Sequence, residues 1–212
     1  PPRSTLFPYT TLFRSFAAFP NWYASLFSGF YVAFFFLLIA LIVRGVGFEF
    51  RSKVSSVKWR KFWDWAIFGG SLIPSLLWGI AFSNFIRGVP IDENFIYVGS
   101  FWDLINIYSI IGGLVTLTGF TLHGAIFLSM KLEKPYGDRI NQIAKKLWWP
   151  NIIVLIFFGI QTYLFTDIID QIGVNPGVVP IGAVLSLLVV GYLVYTHRIG
   201  WAFFMNCLAV VF

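Results

Sequence analysis

Residues 22–43 read WYASLFSGFYVAFFFLLIALIV, an uncharged run of 22 residues closed by Arg44. As a helix rising 1.5 Å per residue it reaches about 33 Å, enough to cross a hydrocarbon core of roughly 30 Å. Lipid offers no water to backbone N–H and C=O groups, so a spanning segment is either a helix or a strand of a closed barrel. Barrel strands need only about 10 residues and alternate polar with apolar positions, whereas this run is long and apolar throughout. It is therefore a transmembrane helix, and it sets the reading of the whole chain.

Four more segments follow the same pattern: Phe62–Ile86, Leu104–Met130, Trp148–Thr166 and Val178–Thr196. A sixth opens at Ile199 and reaches Phe212 after fourteen residues. The expected fold class is all-α, a polytopic transmembrane helical bundle with five complete spans plus a truncated sixth. Composition agrees. The chain is 58% hydrophobic and 11% charged, and a soluble domain needs roughly 25% charged residues to keep its surface wet. The single cysteine, Cys207, supplies no disulfide framework. Residues 1–15 (PPRSTLFPYTTLFRS) fit neither a signal peptide nor a span. We read them as a non-native leader resembling translated adapter sequence, with the membrane bundle over 16–212, truncated at both ends.

The net charge of +6 is explained by topology, which leaves no call for nucleic acid. Loop 44–61 carries six Lys or Arg residues and loop 131–147 carries five, while loop 87–103 carries one and loop 167–177 none. The turn at 197–198 adds Arg198. Positive residues mark the cytoplasmic side. Loops 44–61 and 131–147 are thus expected inside, and loops 87–103 and 167–177 outside. Aromatic residues sit at the edges: Trp22 and Tyr23 on the first span, Trp59, Trp63 and Trp65 on the second, Trp148 and Trp149 on the fourth. All are expected as interfacial anchors.

Ionisable groups inside a bilayer cost about 2.5–3.5 kcal/mol on insertion scales, so each one asks for a role. Asp64 stands at the third position of the second span, one turn beyond Arg60. A helix-dipole contact and an i,i+4 pair with Arg60 compete there with a role in proton uptake or subunit contact. Arg44 and Glu49 flank the inner end of the first span, placed either to anchor it or to make a structured contact. His123 lies roughly 9 Å from the middle of the third span. Gly112, Thr116, Gly119 and His123 share one helix face, where small residues let another helix approach closely. Three readings of His123 stay open: helix packing, a proton path, and haem or metal ligation. A bis-histidine haem would need His197, placed in a cytoplasmic turn, or a ligand from elsewhere. Pro74, with Gly69, Gly70 and Gly79, is expected to kink the second span. No span carries a central carboxylate, and no P-loop, GxSxG, HExxH or dinucleotide motif appears.

Several stretches together resemble subunit II of the cytochrome bd-type quinol oxidases. They are FAAFPNWY (16–23), FSGFY (27–31), RGVGFEFR (44–51), WRKFWDWAIF (59–68), RGVPI (87–91), LHGA (122–125) and WAF (201–203). The resemblance implies a bacterial or archaeal cytoplasmic membrane and a complex that oxidises quinol and reduces O₂ to water. It implies that haem b and haem d, with the quinol-oxidising loop, belong to a partner, the haem-bearing subunit I. This chain would then hold no cofactor, metal or catalytic residue, with membrane lipid and the partner as its contacts and quinol reached through the complex. Arg44, Glu49, Asp64 and His123 are the candidate positions for subunit contact or proton access. In the family, helices bearing acids near a proton route and a Trp near an oxygen entrance precede the position of Phe16, so those roles are not carried over. The alternative is a multi-pass transporter or scaffold without a redox partner.

Overall fold

The computed structural model describes residues 17–93, 96–166 and 178–211. The proposed leader 1–15, the loop 167–177 and the flanking Phe16 and Phe212 lie outside the described residues. Among the described residues, six helices follow one another: α1 (Pro20–Phe50), α2 (Val57–Arg87), α3 (Ile107–Lys131), α4 (Tyr136–Phe165), α5 (Val178–Tyr195) and α6 (Ile199–Val211). The first four are long and apolar enough to cross a membrane, while α5 and α6 are apolar but shorter. The expected helical membrane bundle is what the chain forms. Each expected span lies on one helix.

The helices overrun the apolar segments that announce them. The expected loop 44–61 is mostly helix, because α1 continues to Phe50 and α2 begins at Val57. Likewise α4 starts at Tyr136, twelve residues before the apolar run at Trp148. Hydropathy marks only the part of a helix that meets lipid. Lys, Arg, Glu and Gln are good helix formers and carry the turns on past it. At the opposite end, the third span begins later than Leu104. Residues Phe101–Leu104 form a 3₁₀ turn, and α3 starts at Ile107 behind an Asn106–Ser109 capping box. Pro74 lies within α2, which runs unbroken from Val57 to Arg87.

Neighbouring helices run antiparallel, so turns 51–56, 132–135 and 196–198 gather at one basic end of the bundle. The centre is α3, which packs on α2, α4 and α6; α1 packs on α2, and α5 pairs with α4 and α6. One buried cluster joins Leu122, Ala125 and Ile126 of α3 to Trp148 and Ile152 of α4, Val190 and Val194 of α5 and Ala202 of α6. A smaller cluster joins Phe30 and Ala33 of α1 to Ala81 and Leu104.

Close approach depends on glycine at two places on α2. A methyl group on Gly70 would sit 2.6 Å from the Ala40 carbonyl oxygen of α1. One on Gly79 would sit 2.6 Å from the Cα of Gly113 on α3. The small face foreseen on α3 is used in this way. Gly112 packs against Gly79 and Ser83, and the Thr116 hydroxyl donates to the Ser75 carbonyl at 2.6 Å. Further along the same face, Gly119 lies beside Asn151 of α4. The face thus meets different helices in succession.

Gly79→Val is expected to destabilise the bundle by about 1–3 kcal/mol, or to prevent folding, because side chain and backbone cannot share that space. Gly124→Ala, where a methyl group meets nothing within 4 Å, should leave thermal unfolding in detergent unchanged. Equal stability of the two variants would contradict the packing.

Candidate functional site

The charged candidates gather where α1 turns into α2. Arg51, the residue after α1, reaches over the first turns of α2 and holds Asp64 with two donors, Nε to Oδ1 and Nη2 to Oδ2, the latter at 3.3 Å. Asp64 therefore pairs with Arg51 and not with Arg60. The orientation explains the correction: an Arg four residues before an acid is the weaker order on a helix, whereas a guanidinium arriving across the turn presents its planar fork to both carboxylate oxygens. The Asp64 carboxylate, by this hydrogen bond first and by its charge second, raises Arg51 above its ordinary pKa. Both side chains remain about half exposed.

Arg44 and Glu49 do not meet. The Arg44 guanidinium lies 5.6 Å from the Phe48 ring centroid, a cation–π contact one turn along the helix. Glu49 pairs with Lys53 at 2.8 Å, in the favourable order of acid before base. Trp59 closes the turn by donating its indole N–H to the Phe50 carbonyl at 2.8 Å. Trp63 packs between Phe50 and Trp59, and its own buried indole N–H has no acceptor among the described residues.

His123 stands apart from that end. Its Nδ1 lies 2.9 Å from Nδ2 of Asn206, and its ring packs on Phe203 with centroids 4.9 Å apart. Both partners belong to α6, so the imidazole joins α3 to α6. The other histidine, His197, meets Asn141 at 3.1 Å and Lys145 at 3.5 Å, both on α4. The two rings serve different helix contacts and do not face each other as a pair of axial haem ligands. Nor do any three His, Cys, Asp or Glu side chains among the described residues lie together as metal ligands would.

The contacts that hold helices together are made by uncharged polar residues that charge counting does not find. Asn84 donates to the Leu104 carbonyl at 2.8 Å and accepts from Asn106 at 3.1 Å, fixing the loop end onto α2. Asn151 donates to Thr118 at 3.1 Å between α4 and α3, and Tyr108 meets Thr162 at 2.8 Å between the same pair. A polar side chain in an otherwise apolar span was the available signal, since such groups act as interhelical glue worth about 0.6 kcal/mol each and up to about 1.7. Trp148 corrects an expectation. It is buried against Gly191 and donates its indole N–H to the Leu187 carbonyl at 2.8 Å, so it ties α4 to α5. Its neighbour Trp149 is exposed and donates to the Tyr195 hydroxyl at 3.1 Å. The glycine opposite Trp148 admits its ring to the interior, and only Trp149 keeps the outward position expected of both.

Fold and site together define a multi-pass α-helical membrane protein whose charged groups sit at helix ends and whose interior is joined by small and amide-bearing residues. The comparisons with known proteins narrow this. Residues 10–212 match the family described as cytochrome bd terminal oxidase subunit II. The chain belongs to that family. It is 37% identical over 192 residues to the cytochrome bd ubiquinol oxidase subunit 2 of Bacillus subtilis, covering 90% of this chain and 56% of the relative. It is 44% identical over 166 residues to the cytochrome bd-I ubiquinol oxidase subunit 2 of Escherichia coli K12, covering 74% and 44%. Identity to the probable cytochrome oxidase subunit 2 of Haemophilus influenzae is 32% over 227 residues, covering 92% and 60%. The chain thus spans about half the length of the curated relatives it matches.

Two substitutions test the site. Trp148→Phe should cost about 1 kcal/mol by removing a buried donor, while Trp149→Phe should fall within about 0.5 kcal/mol of wild type in a detergent unfolding titration. Asp64→Asn should cause a small loss of stability that vanishes at roughly 1 M salt, because the pair it breaks is exposed and screened. A loss independent of salt would show the pair to be more than a surface contact.

Proposed function

We propose that this chain is the non-haem-bearing membrane subunit of a cytochrome bd-type quinol oxidase. Quinol oxidation and the reduction of O₂ to water take place on the haem-bearing subunit I, which carries haem b and haem d. The chain itself supplies no catalytic residue. It lies in a cytoplasmic membrane with its basic end, including turns 51–56 and 132–135, on the cytoplasmic side. The family match over residues 10–212 carries this reading.

The geometry suggests how each candidate residue serves such a complex. Arg44, Glu49, Asp64 and the unpartnered Trp63 N–H form a charged and aromatic rim at the α1–α2 turn. A rim of this kind suits subunit contact or proton access at the membrane surface. His123 acts as a positioning residue. Bonded to Asn206 and stacked on Phe203, it holds α6 to the central helix, and with it whatever α6 presents to the partner. The outward faces of α1 and α2 are apolar, as lipid or another membrane subunit requires.

Purification of the full-length protein from its native membrane in mild detergent tests the proposal. A second, larger membrane subunit with haem bands in the reduced-minus-oxidised spectrum is the expected result. A stable, colourless, solitary protein would overturn it and favour a transporter or scaffold. Within that complex, His123→Ala should lower the yield of haem per mole of this chain, and His123→Gln should restore part of it by keeping a hydrogen-bonding group toward Asn206. Unchanged haem content and turnover in His123→Ala would remove the positioning role.

A further inference from the structure

An open cavity of about 710 Å³ lies at the basic end, between the turn joining α3 to α4 and the turn joining α5 to α6. Its wall includes Lys134, Lys145, His197, Asn141, Gln142 and Asp138. The volume falls in the range of small-molecule sites. None of these residues is used by the charged rim or by His123.

The cavity is held open by a built arrangement. Helix α5 ends in a Schellman turn, with Arg198 N–H donating to the Leu193 carbonyl and His197 N–H to that of Val194. His197 takes the left-handed C′ position at φ 59°, where a non-glycine residue is uncommon. That position turns its ring to Asn141 and Lys145. Lys145 is held on a second side by the Tyr195 ring, 5.3 Å from its ammonium nitrogen. The Lys145 ammonium nitrogen lies 3.5 Å from His197 Nε2. The Asn141 side-chain nitrogen Nδ2 lies 3.1 Å from His197 Nδ1 and ties α4 to this turn. Asn141 is 3% exposed, and its Oδ1 has no hydrogen-bond partner among the described residues. Two lysines thus flank the opening, one of them fixed on two sides. The N-termini of α4 and α6 open beside them and add partial positive charge. Asp138 is the opposing charge on the wall.

Depth indicates what such a site meets. A helix of 30 residues, as α4 is, spans about 45 Å, some 15 Å more than the hydrocarbon core. The surplus lies at its polar first turns, residues 136–145, where the cavity is. That is the level of lipid headgroups, and basic pockets between helices at this level take anionic headgroups. We propose that this cavity binds a phosphate anion, carried either on an anionic phospholipid or free in solution, with Lys134 and Lys145 as its charge partners and Asp138 as the group that limits its affinity.

The test uses the complex extracted from its native membrane and delipidated in mild detergent. It applies whether or not that complex carries haem, so its outcome is separate from the oxidase reading. Thermal unfolding is followed against dioleoylphosphatidylglycerol, dioleoylphosphatidylcholine and inorganic phosphate. Phosphatidylglycerol should raise the unfolding temperature saturably, and phosphatidylcholine should not. Lys134→Gln should weaken the half-saturating concentration about fivefold, since one lysine near a surface is worth about that factor. Asp138→Asn should shift it in the opposite direction. Lys134 and Asp138 are exposed, and a gain of affinity in Asp138→Asn cannot arise from a damaged fold. The same two shifts with inorganic phosphate alone would support the site and identify the free ion as its ligand. Identical half-saturation in wild type and both variants, with lipid and phosphate alike, would overturn the proposal.

Discussion

Hydrocarbon accepts no hydrogen bond, and every other feature of this bundle follows from that constraint. Each backbone N–H and C=O must find its partner along its own helix, so long apolar runs become long helices. The same medium withdraws the usual reason for helices to associate, because lipid tails are as apolar as Leu. Contact between helices must then come from close backbone approach and from polar groups that bond across the gap. This chain uses both. Gly70 and Gly79 seat α2 between α1 and α3, while Thr116, Asn151, Trp148 and His123 each bridge to a different helix.

These bridges converge on the centre. Helix α3 reaches α2 through Thr116, α4 through Thr118 and Tyr108, and α6 through His123. Individually each is a weak interaction, well below the stability of a domain. Their specificity matters more than their strength. An apolar helix can rotate about its axis against lipid at little cost, whereas a hydrogen bond to one named carbonyl or amide fixes rotation and depth. His123 illustrates the point, since its ring is both bonded to and stacked on the next helix.

The charged groups follow a different logic. They are excluded from the interior by their solvation energy and collect where the helices emerge. At the α1–α2 turn they pair among themselves, Arg51 with Asp64 and Glu49 with Lys53. At the α3–α4 and α5–α6 turns they instead surround a cavity with a surplus of positive charge. One end of a membrane protein thereby carries two surfaces of different chemistry. The first is a rim of paired charges and aromatic rings, the second an open basket with excess positive charge.

Sequence alone settled the architecture, because one physical rule links apolar length to a spanning helix and another links interfacial Trp and charge to its ends. It also supplied the family, through stretches such as RGVGFEFR and WRKFWDWAIF, and the packing face at Gly112 and Thr116. It did not reveal where helices end beyond the lipid, since the backbone continues to gain hydrogen bonds after the apolar residues stop. It also left open which of several basic residues would meet Asp64, and whether Trp148 faced headgroups or the interior. Those outcomes depend on which helix stands opposite, at what depth and in what rotation. That information belongs to pairs of helices far apart in the chain, and only the assembled bundle contains it.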